Sequence, residues 1–192
     1  MRDIEKALAR CSPSLISRDG MREAAVAMIL RDRPEGPEVM FIQRAESKND
    51  PWSGQIAFPG GSLESGDSSL ADAAIRETRE ETGAVLTHGL QIGRLDDLQG
   101  SSRNRPINLV IGCFVYRLDF EPVLVPNYEV ADIFWTPLAL LRDESRRMGY
   151  LTPFREEPYP AIHLGTARLG ADRILWGLTY RFVRDFLGIT AH

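Results

Sequence analysis

Apolar residues follow two periods along the chain, and each period predicts a different kind of element. Apolar runs of strand length occupy residues 24–30 and 39–43, with turn-forming residues between them. Further strands are predicted over residues 55–58, 90–96, 107–118 and 133–135. Residues 68–82 instead lack Gly and Pro and are rich in Ala, Glu and Arg. Because Gly83 follows directly, this stretch predicts a helix with a glycine C-cap, and Ser69 with Asp72 resembles a capping box at its start.

The two ends of the chain predict shorter helical pieces. Residues 1–20 favour a short helix and a loop, residues 137–142 a helix start, and residues 178–187 a closing amphipathic helix. The strand at 55–58 is expected to stop at Pro59-Gly60-Gly61, and residues 100–104 to form a loop. Strands before, between and after the helices indicate a mixed sheet with helices on its faces. The prediction is one α/β domain over residues 1–192, with 1–20 as lead-in and 174–192 as C-terminal helical segment.

Composition narrows the class of protein. The chain has 192 residues, of which 43% are hydrophobic and 26% charged, as in a soluble globular protein and unlike a disordered one. A net charge of -4 argues against nucleic acid as a partner. No apolar run approaches the roughly 20 residues of a membrane span, and the N-terminus lacks a secretory apolar segment. We therefore expect a cytoplasmic protein without a membrane partner. Cys11 and Cys113 fit neither a disulfide framework nor a metal-ligand spacing.

Three glutamates carry the candidate chemistry. Glu77, Glu80 and Glu81 are spaced i, i+3 and i+4, so their carboxylates emerge near one another on the predicted helix. Clustered carboxylate oxygens without His or Cys suit hard cations such as Mg²⁺ or Mn²⁺, which share their ligands with substrate phosphates. Arg76 lies four residues before Glu80 and can pair with a carboxylate. The alternative is a solvated helix face held by salt bridges. The glycines at 60 and 61 favour the metal site, because they allow a backbone to approach a ligand closely.

These residues resemble the signature of the Nudix hydrolases. That signature is Gly, five residues, Glu, seven residues, Arg-Glu, an apolar residue, any residue, Glu-Glu, any residue, Gly and an apolar residue. The matching residues are Gly61, Arg76, Glu77, Glu80, Glu81, Gly83 and Ala84. Asp67 replaces the first Glu, eight residues separate it from Arg76, and Thr78 takes the apolar position. The resemblance covers roughly residues 22–143.

The resemblance implies a fold, a reaction and roles for residues. The fold is an α/β/α sandwich around a mixed sheet, and the reaction is hydrolysis of a nucleoside diphosphate linked to another group. Glu77, Glu80 and Glu81 would bind Mg²⁺ or Mn²⁺, and Arg76 would orient them. Gly60 and Gly61 would supply the tight loop of the substrate site.

A second segment resembles the coenzyme A pyrophosphatase branch of the family. In that branch an Arg-Ser pair precedes His-x-Gly-x-x-x-Phe-Pro-Gly-Gly. The residues that fit here are Arg44, Gly54, Phe58, Pro59, Gly60 and Gly61. Ala45 replaces the Ser and Trp52 stands at the usual His position. This resemblance implies hydrolysis of coenzyme A or its derivatives to 3',5'-ADP and 4'-phosphopantetheine.

Several residues outside the signature have a functional and a structural interpretation. Arg44, at the end of a predicted strand, could contact a phosphate or form a surface salt bridge with Glu46 or Asp50. Trp52 could stack on the substrate or pack its own loop. Glu129 could act as general base or water-orienting carboxylate, or be an ordinary exposed glutamate. Arg103 and Arg105 lie in a predicted polar loop that could reach an anionic nucleotide or simply be solvated. His88 and His163 have no metal-ligand spacing and are expected to be structural or solvated.

Three functions remain open on this sequence. The first is a metal-dependent hydrolase of coenzyme A or its derivatives. The second is a Nudix pyrophosphatase acting on ADP-ribose, dinucleoside polyphosphates or nucleotide sugars. Trp52, at the usual His position, favours this alternative. The third is a noncatalytic nucleotide-sensing module, against which the retained glutamates argue. Either catalytic function takes a small-molecule nucleotide as partner. The apolar residues 174–189 either form a homodimer interface or close the core.

Overall fold

The apolar runs pair into a sheet of eight strands, and a second sheet of three strands lies beside it. The computed structural model describes residues 1–47, 52–102, 105–153, 155–167 and 170–191. The strands of these residues are β1 (Arg22–Arg31), β2 (Glu38–Arg44), β3 (Ile56–Ala57), β4 (Gly60–Ser62), β5 (Gln91–Arg94), β6 (Leu98–Ser102), β7 (Arg105–Leu118), β8 (Val130–Pro137), β9 (Arg147–Thr152), β10 (Arg155–Thr166) and β11 (Asp172–Leu175). The α-helices are α1 (Arg2–Arg10), α2 (Leu70–Thr82), α3 (Leu138–Arg142) and α4 (Gly177–Ile189).

The main sheet is mixed, as predicted. β1 and β7 run parallel along the whole of β1. β2 and β4 pair antiparallel with β1, and β5 and β6 pair antiparallel with β7. β3 and β8 complete the sheet as antiparallel partners of β2. The pairing of β1 with both β2 and β4 brings the end of the predicted glycine loop to the centre of the sheet.

Alternate residues of β1 serve opposite faces of the sheet. Ala25, Ala27 and Ile29 belong to a hydrophobic cluster that includes the alanines of α2. Met28 and Leu30 belong to a second cluster on the other face, which takes in residues of α1, α4 and the three-stranded sheet. Such alternation is the period-2 pattern of a strand covered on both sides. The α/β class with helices on both faces of a mixed sheet is therefore confirmed.

Helix α4 uses its apolar residues inside this chain. Phe182, Val183 and Phe186 are buried and belong to the cluster that also contains Leu175 of β11. Of the two uses that the sequence left open for residues 174–189, these side chains serve the closing of the core. A homodimer remains a prediction. No helix of the described residues has the length and apolarity to cross a membrane.

The three-stranded sheet was not anticipated from the sequence. Its strand β11 is joined to β8 of the main sheet through Arg173, which forms an ion pair with Asp132. The Arg173 guanidinium carbon also lies 3.9 Å from the centroid of the Phe134 ring. Many positions of β9 and β10 are exposed, and few apolar residues stand there. The hydrophobic pattern of the sequence therefore gave no strand signal in this region.

Two predicted loops are wrong, because each contains a strand. The strand predicted at 55–58 does stop before Pro59, because β3 ends at Ala57. Gly60 and Gly61, however, were expected in a tight loop, yet they begin β4 and pair with Val26 and Ala25 of β1. Residues 100–104 were expected to be a loop, yet β6 continues to Ser102 and pairs with β7. Backbone hydrogen bonds form these strands, and they place no demand on side-chain apolarity. Two residues named above, Asp50 and Arg103, lie outside the described residues.

Candidate active site

At Gly60 and Gly61 of β4 the backbone passes close to the carboxylates of Glu81 and Glu77. Gly60 has a φ of +153°, and a Cβ there would lie 2.2 Å from the carbonyl oxygen of Ala25. Its N–H donates to Glu81 Oε2 at 2.9 Å. A Cβ on Gly61 would lie 2.3 Å from Glu77 Oε1. A side chain at position 60 would therefore collide with β1, and one at position 61 with the Glu77 carboxylate, so glycine allows the close approach at both positions.

The ends of helix α2 are fixed as the sequence predicted. Ser69 is the N-cap and its hydroxyl accepts a hydrogen bond from the Asp72 N–H at 3.2 Å. Gly83 is the C-cap in a left-handed conformation with a φ of 74°. On another side of the helix, Thr78 and Thr82 are fully buried. These contacts set the rotation of α2 and with it the direction of its glutamates.

The three glutamates occupy different environments. The Glu80 side chain is 55% exposed, that of Glu77 16% and that of Glu81 3%. Burial raises the pKa of Glu77 and raises that of Glu81 to about 7. The sequence predicted carboxylates that emerge together on one face. In the structure Glu81 is buried and accepts a hydrogen bond from the Gly60 N–H, whereas Glu80 is exposed.

Arg76 connects the glutamates to the loop ahead of the helix. Its Nη1 lies 3.0 Å from Glu77 Oε1 and 3.4 Å from Glu80 Oε2, which includes the predicted i to i+4 pair. Its Nε and Nη2 donate to the two carboxylate oxygens of Asp67 at 3.1 and 3.0 Å. Nη2 also donates to the Ser62 carbonyl oxygen at 3.0 Å. One guanidinium thus ties loop and helix together.

Asp67 therefore acts on Arg76, a role that the altered spacing had left undetermined. Its side chain is only 5% exposed, and it accepts a further hydrogen bond from the Glu64 N–H at 2.9 Å. Hydrogen bonding to Arg76 holds the pKa of Asp67 below its ordinary value. The signal in the sequence was its position after five residues from Gly61, where the family signature has its first Glu.

Arg44, the last residue of β2, reaches the same site. Its Nη1 lies 4.0 Å from Glu81 Oε1, and its N–H donates to the Gln55 carbonyl oxygen. Trp52 is half-buried in the turn that leads to β3, and its carbonyl oxygen accepts from the Gln55 N–H at 3.2 Å. Arg44 and Gly60, two residues of the segment that resembles the coenzyme A pyrophosphatase motif, thus lie beside the buried glutamate.

The loop that carries Glu129 meets the other end of the glutamate helix. The Asn127 N–H donates to the Glu81 carbonyl oxygen at 3.1 Å, and the Ala45 N–H donates to the Glu129 carbonyl oxygen at 2.7 Å. The Glu129 side chain is exposed, and its negative charge is one of the smaller contributions to the raised pKa of Glu81. Arg44, Glu81 and Glu129 therefore come from three elements to one place.

Comparison with known families identifies the family to which the chain belongs. A family model of the NUDIX domain matches residues 21–158. The chain belongs to the Nudix family. This match includes the glycine strand β4, helix α2 and the loop of Glu129. The Nudix part of the predicted resemblance is therefore confirmed.

Relatives of the chain include hydrolases of this family. NudL of Yersinia pestis, an uncharacterized Nudix hydrolase, is 30% identical over 167 residues, which cover 85% of this chain and 77% of NudL. An uncharacterized protein of Schizosaccharomyces pombe is 38% identical over 108 residues, 54% of this chain and 32% of that protein. The chain thus spans about a third of the yeast relative. Family and relatives identify the chain as a Nudix-type enzyme, which acts in general on nucleoside diphosphate-linked compounds.

A solved structure shows the same fold. The crystal structure of a MutT/nudix family protein from Enterococcus faecalis aligns with a TM-score of 0.60 and 21% identity. The alignment covers 94% of this chain and 63% of the other. At this identity the likeness concerns the fold. The predicted Nudix architecture is confirmed by it.

The remaining sequence candidates lie in other surroundings. His88 Nε2 is 2.8 Å from Asp72 Oδ1 at the start of α2, and His163 Nε2 is 3.1 Å from Asp172 Oδ1 in the three-stranded sheet. Arg105 is exposed at the start of β7. The two histidines thus take part in surface pairs, in keeping with the structural role expected of them.

The donor atoms around β4 fit a hard divalent cation of the kind that Nudix hydrolases generally use. Glu77 and Glu81 offer only oxygen, and their raised pKa values mean that a nearby positive charge would stabilise the ionised carboxylates. Within the described residues, no three His, Cys, Asp or Glu side chains converge closely enough to hold a metal as they stand. Arg76 and the Gly60 amide bond to these oxygens instead. Metal binding by this set therefore requires the exposed Glu80 and Arg76 to shift.

Proposed function

We propose that this Nudix enzyme hydrolyses the diphosphate linkage of coenzyme A or its derivatives, with Mg²⁺ or Mn²⁺ as cofactor. The observation that carries the proposal is that the backbone of Gly60 and Gly61 lies directly beside the carboxylates of Glu81 and Glu77. Glycine at both positions lets this strand lie against β1 and the glutamate helix, so that two carboxylates and a backbone N–H come to one place. Carboxylate oxygens suit the divalent cation that a substrate diphosphate needs. The choice of coenzyme A rests on the segment from Arg44 to Gly61, whose arginine lies 4.0 Å from Glu81.

Glu77, Glu80 and Glu81 would hold the metal. When bound, the cation supplies positive charge to the diphosphate and lowers the pKa of a water molecule. Nudix enzymes need only oxygen ligands for this purpose, and the three glutamates provide them. Arg76 orients Glu77 and Glu80 through the contacts described above and is itself held by Asp67.

The other residues act on the substrate and on the attacking water. Glu129 takes a proton from the attacking water. At the same time the water oxygen bonds to phosphorus, and the bond between phosphorus and the bridging oxygen breaks. One water is consumed, and each product retains one of the two phosphates. Arg44 pairs with the phosphate charge that develops in the transition state. Gly60 and Gly61 allow the phosphate to approach, and Trp52 stacks against the organic part of the substrate.

Trp52 also favours a second substrate class. It occupies the position where the coenzyme A pyrophosphatase motif has His, and a large aromatic surface suits nucleobases in general. The second candidate is a pyrophosphatase that acts on ADP-ribose, dinucleoside polyphosphates or nucleotide sugars through the same machinery.

The test is a hydrolysis panel with Mg²⁺ or Mn²⁺. The compounds are coenzyme A, ADP-ribose, a nucleotide sugar, a dinucleoside polyphosphate and a nucleoside triphosphate. The variants are Glu81→Gln and, as a matched control, Glu157→Gln, whose side chain is 81% exposed on β10. Preferred cleavage of coenzyme A, lost only in Glu81→Gln, supports the proposal. Preference for another compound moves the substrate to the second class. No turnover on any of them, or full turnover by Glu81→Gln, contradicts the catalytic assignment.

A further inference from the structure

The segment 125–129 is fastened to the site by its backbone at three points. The Val125 N–H donates to the Thr82 carbonyl oxygen at 2.8 Å, and the Asn127 N–H donates to the Glu81 carbonyl oxygen at 3.1 Å. At the far end, the Glu129 carbonyl oxygen accepts from the Ala45 N–H at 2.7 Å. These bonds connect the last turn of α2 to the end of β2 through this one segment.

Side-chain packing contributes little to the shape of this segment. The side chains of Val125 and Tyr128 are largely in solvent, with Tyr128 87% exposed, and Glu129 is exposed as well. An exposed loop without packed side chains samples many backbone conformations unless hydrogen bonds restrict it. The direction of Glu129 therefore depends on the polar contacts of its own neighbours.

Asn127 supplies such a contact with its side chain. Its Oδ1 accepts a hydrogen bond from the Glu129 N–H at 2.8 Å. An Asn side chain that bonds to the backbone two residues later forms a local turn of its own. The same residue thus bonds to Glu81 through its backbone and to Glu129 through its side chain.

We propose that Asn127 is a positioning residue for the hydrolysis, because it holds Glu129 in a fixed place relative to Glu81. The inference rests on the proposed function, in which Glu129 takes the proton of the attacking water. Rates of such proton transfers depend on the position of the base, and a small displacement lowers turnover without removing the group. Asn127 would affect turnover through Glu129 and leave substrate binding largely unchanged.

The experiment combines substitutions at both positions. Asn127→Ala removes the acceptor oxygen, and Asn127→Asp keeps it. The matched control is Asn108→Ala, since the Asn108 side chain also forms one hydrogen bond with the backbone, although as a donor: its Nδ2 donates to the Gly20 carbonyl oxygen at 2.7 Å. Turnover number and KM are measured on the panel compound that the wild type cleaves fastest, for the single variants, for Glu129→Gln, and for Asn127→Ala combined with Glu129→Gln.

The expected pattern separates positioning from general destabilisation. Glu129→Gln should lower turnover about 100-fold and Asn127→Ala about tenfold, with KM changed by less than about twofold. The double variant should be no slower than Glu129→Gln alone, because Asn127 acts through Glu129. Asn127→Asp should recover most of the loss, and Asn108→Ala should match the wild type.

Other results would overturn the inference. Full turnover by Asn127→Ala, equal losses in Asn127→Ala and Asn127→Asp, or losses that multiply in the double variant would each exclude a positioning role. If Glu81→Gln loses activity while Asn127→Ala does not, the proposed function stands and only this inference fails. If Glu81→Gln remains fully active, the proposed function itself fails.

Discussion

Asp67 and Arg76 form a two-point ion pair in which both carboxylate oxygens accept hydrogen bonds from one guanidinium, at 3.1 and 3.0 Å. This pair joins the loop after β4 to the helix that carries the glutamates. Arg76 has Glu77 within 3.0 Å on its other side, so the position of Asp67 is passed on to a candidate metal ligand. The Arg76 guanidinium therefore holds the loop, the helix and the Glu77 carboxylate together.

Replacement of Asp67 should destabilise the protein. Asp67→Asn puts a neutral amide where a side chain that is only 5% exposed meets two guanidinium nitrogens of Arg76, and we expect the free energy of unfolding to fall by about 2 kcal/mol. Urea denaturation measures this change. The control is Glu64→Gln: Glu64 also faces Arg76, at 3.8 Å, but is 66% exposed, so its effect should stay within about 0.5 kcal/mol. Equal effects of the two substitutions would contradict the special role of Asp67.

The same pair should make stability depend on acid. Arg76 holds the pKa of Asp67 below its ordinary value in the folded state. The stabilisation is therefore complete above the unfolded pKa of about 3.9 and is lost as pH falls through the lower, folded pKa. The difference in unfolding free energy between wild type and Asp67→Asn should shrink below about pH 4. Urea titrations at several pH values check this, and a constant difference down to pH 2 would refute it.

A methyl group at position 61 should disturb catalysis. In Gly61→Ala the added Cβ would lie 2.3 Å from Glu77 Oε1, so the carboxylate must move away. We expect turnover on the best panel compound to fall about 100-fold. Gly66→Ala in the same loop is the matched control, because a Cβ there meets no heavy atom within 4 Å. Circular dichroism of both variants verifies that they are folded, and an active Gly61→Ala would argue against close approach at this glycine.

Without bound metal, the burial of Glu81 should lower the free energy of unfolding as pH rises. Burial raises the pKa of Glu81 to about 7 in the folded state, whereas the unfolded side chain ionises near its ordinary value of about 4.3. In EDTA the wild type should therefore lose up to about 3 kcal/mol relative to Glu81→Gln as pH rises from 4.5 to 8. Thermal unfolding of both proteins measures the difference. Added Mn²⁺ should stabilise the wild type at pH 8 and have little effect on Glu81→Gln; an equal shift in both would place the metal elsewhere.

Local chemistry in the sequence was sufficient for helix α2 and its caps. Ser69 and Gly83 act at its two ends as their residue types predict, and the spacing of Arg76 and Glu80 produces the expected pair. These features depend on contacts between residues at most four positions apart, for which the geometry of a helix is already known. The apolar runs likewise predicted the main strands, because their length and the turn-forming residues around them are typical of strands.

Only the tertiary structure decided how distant residues share the site. Glu81 is turned inward because the Gly60 amide, on another element, lies 2.9 Å from its carboxylate. Glu129 reaches Glu81 through backbone bonds of its loop, and no periodicity in the sequence encodes such bonds. The strand at Gly60 was missed because its pairing with the remote β1 depends on the whole fold. The three-stranded sheet, whose strands follow one another along the chain, was missed because β9 and β10 give little apolar signal. The sequence by itself thus determined the elements and the chemical types at the site, and the packing of the sheet determined which of those groups meet.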